Sequence, residues 1–242
     1  RYMLDFVQDN KVKIAFSPSF GTINIPIKIE KLYKEKLLRL DAISVREDIG
    51  CELVQKLVHK KVYHLCDPTL LLTSEEWIRA FQLKIQSEEY ILCYVLSNNK
   101  WYRDMIINVQ NYLKLPIKII GVKEISYTID RTEVIHPGPI GFVQYIANAR
   151  FVITDSFHGM LFATNFNRPY IVLQRFLEKS VGSENSRLKS FMKAANLEGR
   201  YYTHIENIHS ECFESLNNKQ IQYIKMLREE SIKYLLRNID TN

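Results

Sequence analysis

Between residues 12 and 173, short apolar runs alternate with amphipathic stretches, and that rhythm confines the chain to an α/β fold with a mostly parallel sheet. Residues 12–16, 42–45 and 62–65 read as buried strands, with helices predicted over 27–40 and 49–57 between them. The first helix sets Ile29, Leu32, Leu37 and Leu40 among lysines, and the second aligns Leu53, Val54 and Leu57 on one stripe. Thr73-Ser-Glu-Glu then places a hydroxyl ahead of two acids, which predicts a helix beginning near Glu75 and carrying Trp77.

The alternation resumes with strands predicted over 90–96, 117–121, 151–154 and 170–173. The helices of this half are predicted over 101–113, 141–149, 159–165, 187–195 and 219–238. Two half-sized α/β layers in succession point to two Rossmann-like domains facing a cleft, residues 1–76 and residues 77–242, the latter ending in the long helix. The chain opens at Arg1, has its first methionine at position 3, and enters directly on a helix-like segment. An incomplete N-terminal domain is therefore expected.

Composition narrows the classes further. The net charge of +6 is spread through the helices with no run of five or six basic residues, so no nucleic-acid partner is expected. The basic excess could draw the chain peripherally toward an anionic membrane. No stretch approaches the roughly 18 consecutive apolar residues of a membrane span, and no charged-then-apolar leader opens the chain, so a cytoplasmic protein is expected. Cys51, Cys66, Cys93 and Cys212 lie far apart without a C-x-x-C pair, which fits reduced thiols rather than a zinc ribbon or a disulfide framework. Neither a metal nor a cofactor is expected.

Open parallel sheets bind ligands outside the carboxyl ends of their strands. That rule selects Ser17 to Gly21, Arg46, Asp67, Ser97 to Asn99 and Asp155 to Gly159. Asp155-Ser-Phe-His-Gly turns from an apolar strand into a helix, so its backbone N–H groups and the helix dipole suit phosphate or carboxylate. Gly159 permits close backbone approach, and His158 adds the side-chain type whose ordinary pKa lies nearest neutrality. Arg46 could hold an anion through two parallel hydrogen bonds with Glu47 positioning it, or pair with Glu47 or Asp48 at the surface. Ser19 and Gly21 lie in what is otherwise ordinary turn chemistry, Asp67 before Pro68 reads as a turn or cap, and Arg187 opens a helix.

Taken in order, Ser-Phe-Gly at 19–21, Ser-Val-Arg-Glu at 44–47, Asp-Pro-Thr-Leu-Leu-Leu at 67–72 with Glu76-Trp77, and Thr-Asp-Ser-Phe-His-Gly at 154–159 resemble the polysaccharide pyruvyl transferase family. Asn167-Arg-Pro-Tyr and Asn185-Ser-Arg-Leu extend the likeness over most of the chain. The resemblance implies two Rossmann-like domains in a GT-B-like arrangement. It also implies transfer of pyruvate from phosphoenolpyruvate to a sugar as a ketal, in the biosynthesis of a surface or capsular polysaccharide. By that likeness His158 and Arg46 carry over as catalytic residues. Phe157, Ser156, Asp155, Gly159, Arg187, Ser19 and Gly21 line the substrates, phosphoenolpyruvate and a lipid- or nucleotide-linked sugar acceptor. By the same likeness, the family's glycine-containing first strand–loop segment is expected to be missing ahead of Arg1. The competing readings are a GT-B glycosyltransferase using a nucleotide sugar and a non-catalytic remnant that binds glycan intermediates.

Overall fold

The computed structural model describes residues 3–86, 89–121, 129–176 and 185–239. In chain order the first elements are β1 (Ile14–Ala15), α1 (Ile27–Leu38), β2 (Ala42–Val45), α2 (Asp48–Val58), β3 (Val62–His64) and α3 (Ser74–Phe81). The middle of the chain carries β4 (Ile91–Val95), α4 (Tyr102–Leu113), β5 (Ile117–Gly121), β6 (Thr132–Val134) and α5 (Pro139–Asn148). The remainder holds β7 (Phe151–Thr154), α6 (Phe157–Asn165), β8 (Tyr170–Leu173), α7 (Asn185–Ala194), β9 (Tyr201–Tyr202) and α8 (Asn218–Ile239). These pack into two compact units, one of Arg1–Leu71, Glu178–Ala195 and Gln222–Asn242, the other of Leu72–Leu177 and Asn196–Ile221.

The first unit is a three-stranded parallel sheet ordered β1-β2-β3, in register through Ile14↔Ala42 and Ile43↔Val62. Leu37 and Leu40 from α1 and its exit, Ile43 and Val45 from β2, and Val54, Leu57 and Val58 from α2 close one core over it. Each such side chain removed from water contributes about 1.5–3 kcal/mol before entropy is charged against it. The C-terminal helix returns to this unit from Gln222 onward, because Ile224, Leu227, Ser231 and Tyr234 repeat at helical spacing and all are buried. Its polar members tie off backbone groups of the unit: Ser231 Oγ accepts from Cys66 N at 3.0 Å, and Tyr234 Oη donates to Ala15 O at 3.1 Å.

The second unit is a six-stranded, wholly parallel sheet ordered β6-β5-β4-β7-β8-β9. Every residue of β7 and β8 is buried, as central strands covered on both faces require. The edge strands β6 and β9 lie outside the strands read from hydropathy. They are only three and two residues long, and Thr132-Glu-Val has no apolar run to announce it. From β4 the chain runs outward through β5 to β6, and from β7 it runs the other way through β8 to β9. The order therefore reverses between β4 and β7, which creates a topological switch point at their carboxyl ends. Among the described residues, no helix is long and apolar enough to cross a membrane.

Candidate functional site

The switch point of the second unit is organised by Asp155, which follows β7 and is 1% exposed. Its carboxylate accepts hydrogen bonds from Leu96 N at 2.7 Å and from Ser97 N and Oγ at 3.0 and 2.8 Å, all just past the end of β4. The Tyr102 hydroxyl lies 3.3 Å from the same carboxylate and 2.9 Å from Gln174 O, while Asn99 Nδ2 donates to Gln174 O and Arg175 O, each at 3.2 Å. One buried carboxylate thus joins the ends of β4, β7 and β8. Burial pushes its pKa up, against the hydrogen bonds from Leu96 and Ser97 that pull it down.

The segment after Asp155 becomes helical at once. Ser156 is the N-cap of α6, its Oγ accepting from Gly159 N at 3.4 Å, so the helix starts at Phe157 and not near Gly159 as the sequence pattern suggests. The short polar cap outweighs the weak helical preference of the glycine three residues on. His158 consequently sits in the first helical turn, where the macrodipole favours negative charge. Of residues 151–164 only His158 is exposed; Phe157 beneath it is buried, with ring centroids 5.7 Å apart. Gly159 has no room for a side chain, because a Cβ there would lie 2.4 Å from Thr154 Oγ1 and 2.9 Å from Tyr94 Cδ1.

In the first unit the loop after β1 closes around Glu47, which is 0% exposed. Glu47 accepts from Ser19 Oγ at 3.1 Å, from Phe20 N at 2.7 Å and from Gly21 N at 3.3 Å. Gly21 takes a φ of 61° there, which glycine supplies without steric cost. Ser17, with φ 49°, has a buried hydroxyl that finds no hydrogen-bond partner among the described residues, although its N–H donates to Ser44 Oγ at 2.9 Å. Arg46 pairs through Nη1 with Asp67, while Asp67 Oδ1 caps the following turn by accepting from Thr69 N at 3.0 Å and Thr69 Oγ1 at 2.8 Å. The carboxylate holding Arg46 is therefore Asp67, and Glu47 is fully engaged by the loop. Arg187 lies in α7 one turn ahead of Ser190, whose Oγ accepts from Asp48 N at 3.2 Å at the start of α2.

The structure thus gathers Asp155, Ser156, Phe157, His158 and Gly159 in the second unit, and Ser19, Gly21, Arg46 and Arg187 belong to the first. Arg175 goes unselected by the motif reading, although it stands two residues past β8 and satisfies the after-strand rule. Its charge lowers the pKa of Asp155, and its buried Nε has no hydrogen-bond partner among the described residues. All four cysteines are free thiols, and burial pushes those of Cys51 and Cys66 up to about 11. Among the described residues, no group of three or more His, Cys, Asp or Glu side chains could hold a metal ion.

A profile described as polysaccharide pyruvyl transferase matches residues 1–175. No curated protein matches the chain. Among solved structures, the UDP-GlcNAc 2-epimerase from Neisseria meningitidis bound to UDP-GlcNAc is similar at 11% identity and a TM-score of 0.45, over 84% of this chain and 63% of that one. The UDP-GlcNAc 2-epimerase from Methanocaldococcus jannaschii is similar at 13% identity and a TM-score of 0.47, over 89% and 69%. The wall teichoic acid polymerase TagF is similar at 14% identity and a TM-score of 0.46, over 93% and 64%. The chain spans less than two thirds of the length of the Neisseria meningitidis protein.

Proposed function

Because the chain belongs to the polysaccharide pyruvyl transferase family, we propose that it moves pyruvate from phosphoenolpyruvate onto a pair of sugar hydroxyls in the assembly of a surface or capsular polysaccharide. The observation that carries this reading is the single exposed imidazole of His158 in an otherwise buried segment, on a helix start at the switch point of a parallel sheet.

The reaction has three demands. The methylene carbon of phosphoenolpyruvate takes up a proton as one sugar oxygen bonds to the adjacent carbon. The second hydroxyl then attacks that carbon, the C–O bond to phosphate breaks, and phosphate leaves with the bonding pair. One hydroxyl proton has gone to the methyl group and the other leaves with phosphate, so the products are a cyclic ketal and inorganic phosphate.

His158 is the group able to move a proton at either stage. Arg46, held by Asp67, is assigned to the carboxylate or phosphate of the donor, and Arg175 supplies a second guanidinium within the unit that carries His158. The N–H groups of the first turn of α6 add to the stabilisation of anionic charge. Ser156 and Gly159 serve by shaping that turn, Phe157 by supporting the imidazole, and Asp155 by fixing the loop ends around it. Ser19, Gly21 and Arg187 are assigned supporting contacts with the substrates.

Steady-state kinetics of His158→Ala and Arg46→Ala test the assignment. His158→Ala is expected to lower kcat about 100- to 10,000-fold, the ordinary range for loss of a proton-transfer group. Arg46→Ala is expected to raise KM for phosphoenolpyruvate. Wild-type turnover in both variants would remove the proposed roles, and consumption of a nucleotide sugar in place of phosphoenolpyruvate would replace the reaction class.

A further inference from the structure

The backbone leaving β8 is fastened from two sides, and the side chain it carries there is Arg175. Gln174 N donates to Tyr202 O at 2.8 Å, while Gln174 O accepts from the Tyr102 hydroxyl at 2.9 Å and from Asn99 Nδ2 at 3.2 Å. The same Asn99 amide donates to Arg175 O at 3.2 Å. Asn99 is in turn tied to Tyr102, whose N–H donates to Asn99 O at 2.9 Å where α4 begins. Tyr102 is 0% exposed, so close packing of its ring keeps the hydroxyl on Gln174 O.

Among the described residues, no carboxylate forms an ion pair with Arg175, and its buried Nε finds no hydrogen-bond partner. The carboxylate that feels its charge, Asp155, already accepts from Leu96 N, Ser97 N and Ser97 Oγ. The guanidinium lies 4.8 Å from the centroid of the Phe176 ring, a contact that steadies the cation without using its N–H donors. A half-buried guanidinium with donors to spare, on a backbone held by two side chains, suits an oxyanion brought by a ligand.

Position decides which oxyanion. Strands β7 and β8 are neighbours in register through Thr154↔Val172, with His158 four residues beyond the first of that pair and Arg175 three beyond the second. In the transfer of pyruvate, the carboxylate of the donor keeps its charge throughout, whereas phosphate takes the bonding pair as the C–O bond breaks and leaves with a proton. A cation on the strand end next to the proton-moving imidazole acts where charge develops, which is at the phosphate.

We propose that Arg175 binds the phosphate of the donor as it departs, with Asn99 and Tyr102 as positioning residues that hold the Gln174–Arg175 backbone for it, leaving the carboxylate to Arg46. The identity of the anion rests on the proposed pyruvyl transfer; that Arg175 takes an anion rests on its own surroundings.

Calorimetric titration with inorganic phosphate and, separately, with pyruvate tests this without turnover. Arg175→Gln should raise the Kd for inorganic phosphate about 10- to 100-fold, as expected for lost charge-assisted hydrogen bonds, and leave pyruvate within about two-fold. Arg175→Lys, which keeps the charge and loses the fork, should recover part of that affinity. Asn99→Ala and Tyr102→Phe should each weaken phosphate several-fold, and neither should add to the loss already present in Arg175→Gln. Asn99 is half-buried, so Asn99→Ala carries the positioning test even where Tyr102→Phe lowers stability, and a thermal melt of every variant separates the two effects. Three results overturn the proposal: no phosphate binding by the wild type, phosphate binding unchanged in Arg175→Gln, or loss of pyruvate in place of phosphate. Losses that add in the double variants would remove Asn99 and Tyr102 from the positioning role. Ketal formation is measured beside these titrations. Its absence with the phosphate results intact would fault the reaction assigned above, and its presence with phosphate binding unchanged would fault Arg175 alone.

Discussion

Gly159→Ala isolates the tightest point of the candidate site. The residue is helical with an ordinary φ, so alanine meets no backbone strain and would gain about 1 kcal/mol of helix propensity if space were open. Space is not open. The new Cβ would sit 2.4 Å from Thr154 Oγ1, and that hydroxyl donates to Tyr94 O at 2.7 Å and accepts from Ser156 N at 3.0 Å. Turning Thr154 away would orphan two buried backbone groups at about 1–3 kcal/mol each, and displacing α6 would cost about 1–3 kcal/mol in overpacking. After subtracting the propensity gain, turning Thr154 away costs about 1–5 kcal/mol and displacing α6 at most about 2 kcal/mol, so the cheaper route sets an expected loss of about 1–2 kcal/mol. For a chain of this length that corresponds to a fall in Tm of roughly 2–8 °C. Differential scanning calorimetry measures it, and Thr154→Ala combined with Gly159→Ala serves as the control. The double variant has already lost the threonine's hydrogen bonds and the 2.4 Å contact with Oγ1, and keeps the 2.9 Å approach to Tyr94 Cδ1, so its destabilisation should be less than the sum of the two singles. A Gly159→Ala protein that melts with the wild type would refute the close approach of α6 to β7 on which the position of His158 depends.

Three further outcomes follow from the same contacts. Asp67→Asn keeps the cap on Thr69 but removes the ion pair that holds Arg46, so KM for phosphoenolpyruvate should rise with little change in kcat; steady-state kinetics that leave KM untouched would contradict the positioning role. Burial holds the Asp155 carboxyl above its ordinary value, so the protonated form is the one the fold favours. Its contribution to stability is complete below about pH 3.8 and is lost as pH rises through the folded-state value; Asp155→Asn should flatten that part of the urea-unfolding profile, and superimposable profiles would sink the inference. Cys51 and Cys66, pushed up to about 11, should react slowly with a disulfide reagent at pH 8 and rapidly once unfolded, a contrast that a thiol-release time course reads directly.

Hydropathy alone located the parallel core. The strands at 42–45, 117–121, 151–154 and 170–173 run between the residues read from the sequence, and the last two are apolar runs because both faces of β7 and β8 are buried. Edge strands carry no such obligation, which is why Thr132–Val134 and Tyr201–Tyr202 left no mark in the pattern. After-strand position and residue type found Asp155 and His158. Partner identity was not legible: Glu47 adjoins Arg46 in sequence yet is occupied by the loop at 19–21, and the carboxylate that meets Arg46 comes from the end of the next strand. Such choices are settled by which backbone N–H groups converge on a buried carboxylate, a property of packed loops. Arg175 could have been found, since the rule that selected Arg46 applies equally to the residues following β8.

The most direct test of pyruvyl transfer supplies phosphoenolpyruvate labelled with carbon-13 at its second carbon to the protein and a panel of saccharides bearing paired hydroxyls. The account predicts that the label moves from an olefinic to a quaternary ketal carbon by NMR, with one phosphate released per ketal, and that His158→Ala abolishes the change. Unaltered phosphoenolpyruvate across the panel, together with turnover of a nucleotide sugar by the same protein, would contradict it.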